Sequence, residues 1–118
     1  FGGGGLAGRR RGVAAGLPAG LPLLVTGDFN AGKRSAAYRR LLGQGGPRPL
    51  FDAYRLAHPD GRGDGTFHAF GKLPRAQAID WILVSGELRV LEAGIDRFQA
   101  EGRFPSDHYP VWAVLEWA

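Results

Sequence analysis

An α/β layered architecture with mostly antiparallel strands is what the sequence predicts, and three observations carry that expectation. Strand-like segments outnumber helix-like ones in the second half of the chain. The connections between those strands are too short for helical crossovers, which leaves antiparallel pairing. In the first half a short apolar strand is followed directly by an amphipathic helical stretch. At 118 residues the chain has room for one domain or part of one.

Residues 1–20 are rich in Gly, Ala and Arg, so any helix near Arg9 to Ala15 is weak alone, and the segment is expected to be a weak helix or disordered. Phe1 followed by Gly2 to Gly5 is unlike a translated start or a signal peptide and reads as the edge of a fragment. The ordered part is therefore expected over residues 21–118. Leu21 to Thr26 is almost purely apolar, with β-branched Val25 and Thr26, and suits a strand buried on both faces. Ser35 to Gly43 sets Ala36, Ala37, Leu41 and Leu42 against Arg39 and Arg40, an amphipathic helix closed by Gly43. Gly45, Gly46, Pro47 and Pro49 mark a loop. Phe51 to Ala57 reads as a short helix with Asp52 near its start, and His58 to Gly65 as a long polar turn region. Further strands are expected over Thr66 to Phe70, Ala78 to Ser85, Arg89 to Ile95 and His108 to Trp117. Trp81, Trp112 and Trp117 all sit in strand-like apolar context and are expected in the core.

Composition limits the chemistry. With no Cys there is neither a disulfide scaffold nor a thiolate metal site, so oxygen or imidazole must hold any metal. The compartment is not fixed by this, the cytoplasm being favoured. No uncharged apolar run approaches the roughly 18 residues of a membrane span. The net charge of +4 owes three positive charges to Arg9, Arg10 and Arg11; of the 15 basic residues, the 12 that remain face 11 acidic ones. A triple Arg beside glycines reads as a solvated tail rather than a phosphate-tracking stripe.

Three short segments carry chemistry. Gly27, Asp28, Phe29 and Asn30 follow the apolar strand, and residues two apart on an extended backbone project to one side. A carboxylate at Asp28 would orient or deprotonate an attacking water, and the Asn30 carboxamide would bond a phosphate oxygen without adding charge; taken alone, loop capping is the better reading of the pair. In Ile79 to Val84 one carboxylate, Asp80, interrupts an apolar strand, and it needs a cationic or donor partner to offset its burial. An Arg would serve. Ser106, Asp107, His108, Tyr109 and Pro110 open the last strand, where adjacent Asp107 and His108 would point in different directions. Asp80 against the second ring nitrogen of His108 would fix the tautomer and favour the imidazolium, while a histidine hydrogen-bonded at a strand start is the simpler reading of His108 alone. His58 and His68 have no ligand-spaced partner and are read as non-ligands, His68 facing the cleft from its strand.

Taken in order, Gly-Asp-Phe-Asn, Ile-Asp-Trp-Ile and Ser-Asp-His-Tyr-Pro-Val resemble the last three signature blocks of the endonuclease/exonuclease/phosphatase family, and Gly-Thr-Phe-His-Ala-Phe, with Thr66, is similar to its threonine-led strand. The resemblance spans about Leu21 to Trp117 and implies the C-terminal half of a two-sheet, helix-flanked sandwich of the DNase I-like type. It implies a metal-dependent phosphoric ester hydrolase with magnesium as cofactor and manganese as the substitute ion. Asp28 would position or activate the water, Asn30 contact the scissile phosphate, Asp107 ligate the metal, and His108 act at the phosphate with Asp80 as its orienting carboxylate. The family's early Asn, metal-binding Glu and central His block have no counterpart before Leu21, and Gln77 and Ala78 stand where an Arg often precedes the Ile-Asp pair. The resemblance therefore implies a missing N-terminal half as partner, a sheet face left exposed and poor autonomous folding. Expected substrates are phosphorylated compounds, with nucleic acid or a small phosphodiester among them. A non-catalytic remnant that only binds or folds on a partner is the alternative from another class, and a nucleic-acid-binding module resting on Arg9 to Arg11 a third.

Overall fold

The computed structural model describes residues 21–43 and 48–117; the expectations for residues 1–20 and for the loop at 44–47 lie outside them. In chain order the elements are β1 (Leu24–Asp28), α1 (Ala36–Leu41), β2 (Leu50–Asp52), α2 (Ala53–Ala57), β3 (Asp80–Ser85), β4 (Leu88–Ile95) and β5 (Val111–Trp117). Two antiparallel sheets result. β3 lies between β1 and β2 in one, and β4 pairs with β5 in the other. The mixed helix and antiparallel-sheet architecture agrees with the sequence expectation.

The register of the first sheet sorts its side chains. Val25 stands opposite Leu83, and Leu50 opposite Ser85, so Val25, Trp81, Leu83 and Leu50 share one face. That face forms the core with Leu23 and with Tyr38 of α1, and Leu41, Leu42, Phe29 and Ala31 pack around it. Ser35 caps α1, its side chain accepting from the Tyr38 amide, and Arg39 and Arg40 lie in the last turn, where the helix dipole favours cations. The opposite face carries Leu24, Thr26, Asp28, Asp80, Ile82, Val84 and Phe51. Leu24 and Phe51 on it are about half exposed.

Asp52 joins the two helices to the loop after β1. One carboxylate oxygen caps α2 through the Tyr54 and Arg55 amides, at 3.0 and 3.3 Å. The other accepts from the Tyr38 hydroxyl and meets the Lys33 ammonium, both at 2.7 Å. Burial pushes the Tyr38 hydroxyl pKa well up, with the Asp52 hydrogen bond second, so it stays protonated as the donor.

Several expectations need correction. β1 is not buried on both faces: Leu24 alternates outward because the sheet packs α1 on one side only. Residues 50–52 pair with β3 before the helix begins, Asp52 ending the strand and capping the helix. No strand forms over Thr66 to Phe70; Phe67 makes isolated bridges to Gln77 and His108, and the positive φ of Ala69 and Phe70 turns the chain. Trp112 is well exposed and Trp117 is 66% exposed, on opposite faces of a two-stranded sheet, so only Trp81 joins the core. Among the described residues no helix is long and apolar enough to cross a membrane.

Candidate active site

The β1–β3 register places Asp28 directly opposite Asp80. Directly opposed residues of an antiparallel pair point to the same face, and two like charges there repel. His108 resolves the conflict. Its Nδ1 lies 2.7 Å from Asp80 Oδ2, and its Nε2 lies 3.8 Å from Asp28 Oδ2 and 3.8 Å from Asp107 Oδ1. One imidazole thus stands among three carboxylates.

The segment carrying His108 is held by backbone bonds to residues 66–68. His68 donates its amide to Asp107 O at 2.9 Å, and Tyr109 donates to Thr66 O at 2.7 Å. The His108 amide donates to Ser106 Oγ at 3.1 Å, closing the turn. Thr66, 0% exposed, ties this segment to β3 as well. Its Oγ1 accepts from the amides of Ile79 and Asp80, at 3.3 and 3.2 Å, and donates to Gln77 O. Gly65 precedes it because the backbones touch here: a Cβ would come within 2.5 Å of Ala76 O.

The hydrogen bond to Asp80 is the main cause that raises the His108 pKa above its ordinary value; burial works against it, and the charges of Asp80, Asp107 and Asp28 add to it. The Asp80 partner expected from sequence is therefore His108 and not an Arg. Two geometric expectations fail. Asn30 does not continue an extended strand: its φ is 50° and its amide donates to Asp28 Oδ1 at 2.9 Å, so a tight turn, not strand alternation, brings it beside Asp28. Asp107 and His108 do not diverge, because residues 106–108 form a turn ahead of β5 and both side chains meet at Nε2. His68 is no strand residue; it is 3% exposed among aromatic rings. His58 bonds Ala93 O through Nε2 at 2.7 Å and stacks on Tyr54, which fits a non-ligand.

Asp28, Asp80 and His108 bring ligand atoms within 4.8 Å of one another. Asp80 Oδ2 and His108 Nδ1 already bond each other. The carboxylates of Asp28 and Asp107, with side chains 43% and 44% exposed, offer the open oxygen donors.

Sequence reasoning placed Thr66 at the head of a strand and missed its hydroxyl as the link between β3 and the His108 turn, a role set by contacts between segments far apart in the chain. Thr66→Val keeps the shape but leaves the Asp80 amide without its acceptor, and we expect about 1–3 kcal/mol lost in urea unfolding. A loss within 0.3 kcal/mol, roughly the error of such a comparison, would refute that role.

A family model described as the endonuclease/exonuclease/phosphatase family matches residues 5–108. Among solved structures, an endonuclease/exonuclease/phosphatase from Bacteroides vulgatus is 33% identical with a TM-score of 0.69, over 82% of this chain and 37% of that one. A functionally unknown conserved protein from Enterococcus faecalis V583 is 28% identical with a TM-score of 0.68, over 82% and 37%. The Bacteroides thetaiotaomicron mannosyl-6-phosphatase is 27% identical with a TM-score of 0.58, over 87% and 40%. The chain thus spans about two fifths of the length of each. Among curated proteins none matches.

Proposed function

The chain belongs to the endonuclease/exonuclease/phosphatase family, and from that premise we propose that Asp28, Asn30, Asp80, Asp107 and His108 form part of the site of a metal-dependent phosphoric ester hydrolase. The observation that supports it most is the single imidazole set between Asp80 and Asp28.

In this reading the oxygen of a water bonds to phosphorus as the ester P–O bond breaks, in one step, and Asp28 receives the water's proton. Asn30, brought beside Asp28 by the turn, donates from its carboxamide to a non-bridging oxygen. Asp80 accepts from Nδ1–H and so keeps the second proton at Nε2, where a cationic His108 offsets charge on the phosphoryl oxygens. The exposed oxygens of Asp28 and Asp107 suit a hard cation that is bound by one or two carboxylates and substrate phosphate. Magnesium held there, or manganese in its place, would supply Lewis-acid polarisation of the phosphoryl group. Phosphomonoesters and phosphodiesters, nucleic acid among them, are candidate substrates, and the mannosyl-6-phosphatase likeness favours a small monoester.

Magnesium-dependent hydrolysis of bis-p-nitrophenyl phosphate and of p-nitrophenyl phosphate by the full chain tests this. We expect chelation to abolish turnover and Asp28→Ala to lower it about 10²-fold or more. Turnover that survives chelation, or that Asp28→Ala leaves unchanged, would sink the assignment.

A further inference from the structure

The connection between β4 and β5, residues 96–110, is long for a compact domain, and connections of that length usually serve a function. It contains the Ser106–His108 turn, and it also builds something the hydrolytic chemistry does not use. Phe98, Phe104, Pro105, Tyr109 and His68 wall a pocket of about 160 Å³ that His108 and Ser106 border directly. Phe98 is 60% exposed, an unusual setting for a Phe that packs against nothing else in the core. Phe104 follows a tight turn in which Ala100 and Arg103 bond each other reciprocally, and Glu101 and Gly102 have positive φ.

His68 makes this more than an aromatic cluster. Its ring packs against those of Phe104 and Tyr109, with centroids at 4.4 and 4.2 Å, and the three rings form one cluster. Nδ1 accepts from the Gly71 amide at 3.1 Å, which places the proton of the neutral ring on Nε2. That Nε2–H is buried and has no partner. An unpaired buried donor is costly, so such groups are rare and a ligand acceptor that reached this one would offset the cost.

We propose that this pocket takes a single planar ring bearing a hydrogen-bond acceptor, the organic part of the phosphoester hydrolysed at His108. Its volume matches one six-membered ring, since a cavity of about 150 Å³ accommodates benzene. The walls are aromatic and apolar, which suits stacking. A polyhydroxylated sugar is disfavoured, because the lining is mostly carbon and offers few partners for its hydroxyls. Nε2 itself is buried, so a ring in the pocket reaches Nε2–H only where Phe104 parts from His68. A nucleobase and an aryl alcohol both offer this chemistry. The position beside the phosphate rests on the hydrolase reading; the binding of a ring does not.

The test is therefore binding without hydrolysis. Phenol, uridine and methyl α-mannoside, none carrying phosphate, are titrated into the full chain while the aromatic carbon signals of Phe98, Phe104 and Tyr109 and the His68 ring nitrogens are followed by NMR. We expect saturable shifts with phenol, with uridine or with both, the pair separating the aryl from the nucleobase source, and Nε2–H of His68 moving with them. Phe98→Ala, at an exposed position that spares the core, weakens binding about tenfold. Asp28→Asn, which abolishes turnover if the hydrolase reading holds, leaves ring binding intact. Saturation by methyl α-mannoside alone, no saturation by any probe, or a Phe98→Ala variant that binds as the parent does overturns the proposal.

Discussion

His108→Ala is expected to lower hydrolysis about 10²- to 10⁴-fold with little change in fold, because among the described residues the imidazole alone touches the Asp80 carboxylate and approaches both Asp28 and Asp107. Asp80→Asn separates charge from position. The amide oxygen still accepts from Nδ1–H, so the ring stays oriented, but the bond is no longer made to a charged group and the Asp80 charge that helps to raise the His108 pKa is gone. In chelator-containing buffer, NMR titration of the parent chain is expected to give a His108 pKa above the usual 6.5, falling back toward that value in Asp80→Asn. The sign for stability follows. A histidine whose pKa rises on folding contributes stability that is fully present below its unfolded pKa, near 6.5, and is lost as pH climbs through the higher folded value. Unfolding of the parent should therefore show a His-dependent decline above pH 6.5 that His108→Ala abolishes. A His108 pKa indifferent to Asp80→Asn, or a pH dependence unchanged in His108→Ala, would detach Asp80 from the role given to it.

The pairing of Asp80 with His108 was legible in the sequence for a physical reason. A carboxylate inside Ile-Asp-Trp-Ile needs a partner, and a histidine opening another strand has a ring nitrogen to give. The strand ending at Asp28 was legible from its apolar run, though not its one-sided burial, and the amphipathic helix from its periodicity. What failed was local. Strand alternation was extended through Asn30, Asp107 and His108, where side chain to backbone bonds from Asp28 and Ser106 turn the chain instead. Trp112 and Trp117 look like Trp81 in sequence, but only β3 is central in a sheet with a helix upon it. Alternation reports which residues share a face; it does not report what covers that face. Neither the Thr66 hydroxyl nor the His68 Nε2–H leaves a pattern, since both roles come from contacts between segments far apart in the chain.

Trp81 carries the largest expected effect on stability, and that effect reaches the site. Its ring is fully buried, stacks on Phe29 at 4.3 Å and meets Tyr38 edge-on at 4.9 Å, and Nε1 donates to Ala78 O at 2.8 Å. Trp81→Ala opens a cavity at the centre of the core, and we expect a loss of about 3–5 kcal/mol in urea unfolding. Against the roughly 5–15 kcal/mol that holds a typical domain together, this leaves little margin. Trp81→Phe keeps the stack but leaves the Ala78 carbonyl unpaired, so about 1–3 kcal/mol is expected. Phe29 lies between Asp28 and Asn30 in the chain, so the variant that keeps the stack should keep the Asp28 turn in place. Turnover per folded molecule should then follow the ring and not the indole N–H: near parental in Trp81→Phe, several-fold lower in Trp81→Ala. A Trp81→Ala variant within about 1 kcal/mol of the parent would show that the core does not depend on the stack, and it would remove the argument that the same ring steadies both the fold and Asp28.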